Sequence, residues 1–179
     1  MSVWRKLLIL SFLLLGGCLA TFEHPLPGSQ SAPKALLGHW SGKDGWGEPV
    51  DLVISALPND VYRAKVRLDG KPARRYTFTV SHHGGRWYAS SVQPDARGAL
   101  IGGFELIENR QLVIYTLDVE PLRQAVAQQE LSGRLTTVGQ DDTPGVHIDS
   151  PAERVMAYLD DSANSDVFVE TARLQRVAR

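Results

Sequence analysis

From Val61 to Leu68 the chain alternates without a break: Tyr62, Ala64, Val66 and Leu68 against Arg63, Lys65 and Arg67. A period of two puts one set on each face of a pleated strand, which no helix can do. Asp69-Gly70 follows, a pair suited to the positive φ angles of a tight hairpin. Residues 75–82 then repeat the alternation, with Tyr76, Phe78 and Val80 against Thr77, Thr79 and Ser81. Two such strands about one turn make an antiparallel pair with one apolar face. That face has to be buried against another layer or by closing the sheet on itself.

The same grammar runs on in both directions. Residues 36–42 and 50–57 read as strands, the second ended by the turn Pro58-Asn59-Asp60. Gly84-Gly85 turns the chain into 86–92, and after a polar loop at 93–98 the strands 100–107 and 111–117 flank Glu108-Asn109-Arg110. Short strands at this even spacing predict an antiparallel meander of sandwich or barrel type. Gly102-Gly103 inside a strand marks a bend rather than a phosphate loop, since no helix follows it.

After Leu117 the texture changes. Asp118 can cap a helix over 119–129 with Val119, Leu122, Ala125 and Val126 on one face, and Pro121 is tolerated in its first turn. A strand at 134–138, a loop at 140–145 and an extended piece at 146–148 come next. Ser150-Pro151-Ala152-Glu153 reads as a capping box, and Ala152, Val155, Met156 and Leu159 form the stripe of an amphipathic helix. Residues 160–166 break it, and 167–177 read as a last strand. The class expected is β-rich α+β: an antiparallel meander or barrel of about eight strands with two short C-terminal helices.

The N-terminus carries a different signal. Arg5 and Lys6 precede an apolar run over 7–15, too short to span a bilayer, since spanning needs roughly 20 residues. The run closes on Leu15-Gly16-Gly17-Cys18, which resembles the bacterial lipobox. That resemblance implies a signal peptide over 1–17 and a diacylglyceryl group on the Cys18 thiol, with acylation of its amine after cleavage. Cys18 is the only cysteine, so no internal disulfide competes for it. Leu19 rather than Asp after the cysteine implies, by the enterobacterial sorting rule, the inner leaflet of the outer membrane, facing the periplasm. Residues 18–35, with Pro25, Pro27, Pro33 and Gly28, read as a lipidated cysteine and flexible linker, and 36–179 as one domain. Removal of 1–17 leaves 17 basic against 20 acidic residues, a net charge of −3. Such a balance offers no electrostatic footprint for nucleic acid.

Gly38-His39-Trp40 on the first strand resembles the G-x-W signature of lipocalins, whose Trp plugs one barrel end. The second lipocalin signature, a T-D-Y type triplet, has no counterpart here, and the two C-terminal helices exceed a simple lipocalin. Over residues 36–177 the layout resembles a group of bacterial lipoproteins with no assigned activity, so it implies fold and location only.

No constellation for catalysis or metal binding is visible. His82 and His83 are adjacent on a strand and point to opposite faces; His24, His39 and His147 are dispersed. Ser41, Ser55, Ser81, Ser90 and Ser91 lack a nucleophile-elbow context. A non-enzymatic protein without cofactor or metal is expected. Trp40, Trp46, Trp87, Tyr62 and Phe78 are the candidate lining of a site for a small apolar ligand or lipid. Trp46 lies in a Gly-rich loop, which leaves an envelope protein–protein module, an inhibitor or assembly accessory, as the alternative. Arg63, Lys65, Arg67, Arg74 and Arg75 form a basic strip, a solvated face or a contact for anionic groups.

Overall fold

The computed structural model describes residues 20–28, 30–92, 98–138 and 142–178. Along the chain run β1 (Ala20–Phe22), β2 (Gly38–Asp44), β3 (Pro49–Ala56), β4 (Val61–Leu68), β5 (Arg74–His83), β6 (Arg86–Val92), β7 (Ala99–Ile107) and β8 (Gln111–Leu117). Then come helix α1 (Val119–Ala127), β9 (Gly133–Val138), β10 (Thr143–Ile148), helix α2 (Ala152–Asp160) and β11 (Phe168–Arg176). The expected meander is present, from β2 to β8, each strand antiparallel to the next. β11 then inserts between β8 and β2, antiparallel to both, and closes an eight-strand barrel. Closure pairs every edge of these strands, which an open meander would leave exposed.

The local chemistry explains the hairpins. Asn59 and Asp60 sit at φ 62° and 53°, and Glu108 and Asn109 at 49° and 56°, so both turns have positive φ at two central positions. That is the twist that matches flanking strands. Asp118 caps α1 as expected, its carboxylate accepting from Glu120 N at 3.1 Å.

Alternation divides the apolar residues into two cores. One fills the barrel with Trp40, Leu52, Ile54, Tyr62, Val80, Phe104, Leu112 and Leu174. The other lies on the outer face of β6 and β7, where Tyr88, Ala99 and Ile101 meet Phe22, Leu26, Leu122, Val146, Ile148, Val155 and Leu159. A small extension carries that second layer. β1 joins β7 at Phe22–Ala99 and runs parallel to β10, which pairs with β9.

Two expectations are corrected here. The stretch 18–35 is not a flexible linker over its described part: β1 starts at Ala20, and Phe22 and Leu26 are 1% exposed. Residues 31–37 also pack across the barrel end, with Ala32 N donating to Tyr62 Oη at 2.8 Å. Prolines break local periodicity there, while the pairing partner of β1 is over a hundred residues away. The capping box also fails. Ser150 Oγ accepts instead from Ser132 N at 2.6 Å, and Pro151 occupies the N-cap of α2 without a side-chain cap. The signal peptide and Cys18 lie outside the described residues.

Candidate functional site

One end of the barrel is sealed. Trp40 is fully buried, and its indole Nε1 donates to Leu36 O at 2.9 Å. The Arg176 guanidinium lies 4.2 Å from the centre of the Trp40 ring. It donates to the carbonyls of Leu37 (3.1 Å), Asn109 (3.0 Å) and Ala35. A cation held over an indole face and satisfied by backbone oxygens closes the end without an unpaired charge. Ile54, Tyr62, Val80, Phe104, Leu112 and Leu174 complete this floor, all at most 6% exposed.

Moving one inward position along each strand away from that floor changes the picture. Trp40 gives way to Gly42, Tyr62 to Ala64, Trp87 to Ala89, Phe104 to Gly102 and Leu174 to Ala172. Phe78 and Ile114 follow Val80 and Leu112, and only Leu52, after Ile54, remains buried; the other seven positions are half-buried. A further step reaches Val66, Tyr76, Leu100 and Thr116, also half-buried, and Val50, which is buried. An inward side chain of a closed barrel meets solvent only through the interior or its mouth. The inward lining is therefore large at the Trp40 end and mostly smaller one position beyond it, with Val50 and Leu68 buried again toward the far end. Gly42 serves a second purpose: a Cβ there would lie 2.5 Å from Arg173 O, so its absence lets β2 and β11 pair.

The five residues expected to line a site separate into three places. Trp40 and Tyr62 belong to the floor. Phe78 is half-buried on the inner wall, 5.6 Å from the Tyr62 ring, and Trp87 is half-buried beside the floor, stacked at 5.9 Å on Phe104. His82 lies against the Trp87 ring at 4.4 Å. Trp46 is outside the barrel altogether. It is 51% exposed on the turn between β2 and β3, at the mouth end. Asp44 builds that turn, Oδ1 accepting from Trp46 N at 3.0 Å and Glu48 N at 2.9 Å. Sequence reasoning missed Ala64, Ala89 and Ala172. Their signal was present as a small residue two places from an aromatic or Leu on the same face.

The titratable groups are engaged as braces between elements. His147, 3% exposed, has Nδ1 2.9 Å from Thr21 Oγ1 and Nε2 2.9 Å from Glu23 Oε2, tying β10 to the β1 segment. Asp160 on α2 accepts from Tyr88 Oη at 3.0 Å and pairs with His83 Nδ1. Burial pushes the Tyr88 hydroxyl above its ordinary pKa. On the outer wall, hydrogen bonds from His39 and then Arg67 hold the Asp51 carboxyl below the usual range. Arg63, Lys65, Arg67 and Arg75 are exposed on that wall, whereas Arg74 is half-buried on the inward face beside Val66. Among the described residues no group of three or more His, Cys, Asp or Glu is placed to hold a metal ion. No protein-family model, no curated protein and no solved structure matches this chain.

Proposed function

We propose that the protein is a lipid-anchored periplasmic binder, non-enzymatic, that holds a small apolar ligand or lipid in a cup inside the barrel, above the Trp40 floor and open toward the β2–β3 turn. The large-to-small step above the Trp40 floor carries this reading. It leaves an aromatic and aliphatic wall, Phe78, Val66 and Ile114, only half-buried, which is the lining an apolar ligand favours. The lipobox resemblance at Leu15-Gly16-Gly17-Cys18 supports the anchor and the outer-membrane location. The test is titration of the Cys18→Ser chain with 1-N-phenylnaphthylamine, whose fluorescence rises in apolar surroundings. Saturable binding is expected. Ala89→Trp, which fills the cup, should weaken it about tenfold, or about 1.4 kcal/mol. Binding unchanged by that substitution would remove the cup from the proposal.

Trp46 supports a second reading, an envelope protein–protein module. A Trp 51% exposed on a well-built turn suits an anchor residue for a partner. Loss of a co-purifying envelope protein in Trp46→Ser, with probe binding intact, would favour this reading over the first.

A further inference from the structure

β1 begins two residues after Cys18, and the inference drawn from this rests on acylation of Cys18. Two peptide units join Cys18 to Ala20, so their Cα atoms lie within ~7.6 Å of each other. Ala20 is not free to swing, because it is 8% exposed and paired with Val146 of β10. An acyl chain at Cys18 would thus hold the domain in one orientation, with the side bearing β1 nearest the lipid.

We infer that the groove between α1 and the β9–β10 pair lies against the phospholipid headgroups of the bilayer that holds the anchor. Ala20, Val146 and Leu135 stand in one cross-strand row. Leu135 is therefore two strand spacings, ~10 Å, from Ala20. Val146 is fully buried under the helices, yet Leu135, on the edge strand β9, is 52% exposed. Beside Leu135 a groove of about 370 Å³ is lined by Arg123, Thr136, Thr137 and Pro144. Arg123 donates to Gly145 O at 2.8 Å and is held only loosely, at 3.8 Å, by the exposed carboxylate of Glu120. An exposed leucine next to an arginine and two hydroxyls matches the boundary between acyl chain and phosphate. No helix among the described residues is long and apolar enough to cross a membrane.

The only native cysteine is Cys18, which acylation consumes, so a single added cysteine carries a spin label uniquely. Full-length protein with Leu135→Cys, Val53→Cys or Trp46→Cys would be labelled with nitroxide and placed in phosphatidylethanolamine–phosphatidylglycerol vesicles. All three positions are exposed, so the labels need not disturb the cores. Val53 is on β3, opposite β7 around the barrel. The Leu135 label should be reached by oxygen and shielded from a water-soluble nickel chelate, while the Val53 label shows the reverse. A water-exposed Leu135 label, or a Trp46 label lying deeper than it, on protein whose mass includes the acyl groups would overturn the inference alone. A mass without acyl groups would overturn the anchor reading and this inference together.

Discussion

The floor of the barrel and the wall above it use the same strands and the same alternation, yet they differ in the size of the side chains turned inward. At the floor, Trp40, Tyr62, Phe104 and Leu174 occupy their inward positions completely and Arg176 seals the opening. One pleat further on, Gly42, Ala64, Gly102 and Ala172 stand in the same columns, and burial falls. Period two decides only which side a residue faces. Side-chain volume at successive inward positions decides how completely that side is filled. The difference therefore predicts that substitutions at the floor cost stability, and those on the wall cost binding.

The sharpest way to break that comparison is at Trp40. Trp40→Ala should destabilise the fold by about 3–5 kcal/mol, the range for emptying a buried aromatic site. Denaturant unfolding would measure it, and a loss under 1 kcal/mol would mean the floor is not a packed core. Arg176→Met keeps the stem over the indole but withdraws donors from three carbonyls. A loss of about 1–3 kcal/mol is expected for those unpaired acceptors. Phe78→Ala tests the other side of the comparison. Its ring is half-buried, so the stability loss should be smaller than at Trp40, about 1–2 kcal/mol. Its effect on probe affinity should be the larger. If Trp40→Ala and Phe78→Ala lower stability equally and leave probe binding alike, the division between floor and wall disappears.

How far the sequence spoke follows the range of the interactions. The β4–β5 hairpin was legible because its alternation and its turn are both local, and so was the capping of α1 by Asp118. β1 was not. Three residues beside Pro25 carry no period, and β1 becomes a strand only by pairing with β10 far along the chain. Ser150 misled for the same reason: its local pattern suits a cap, but a distant backbone amide, Ser132 N, takes its hydroxyl. The site shows an intermediate case. Tyr62-x-Ala64 and Trp87-x-Ala89 were in plain view, yet their meaning depends on strand direction. Only when β4 and β6 are seen to run away from the same sealed end does each small residue lie on the far side of its aromatic neighbour.

The outer wall gives the smallest effect and the control for the rest. Asp51 stands on the outward side of β3, between inward Val50 and Leu52, and bonds His39 Nε2 at 2.9 Å and Arg67 Nη2 at 3.0 Å. Those partners hold its folded pKa below the ordinary 3.8. A depressed carboxyl contributes stability above the unfolded value, and loses it as pH falls through the folded one. Asp51→Asn should therefore be less stable than the native chain at neutral pH, and the gap should close below pH 3.8. With both carboxylate and guanidinium largely in water, the gap should stay under about 1 kcal/mol, and salt should shrink it. Urea unfolding from pH 7 to 2.5 would trace it. A gap that widened toward acid would mean the carboxylate is a strain on the strand, and that the outer wall takes part in holding the cup's shape.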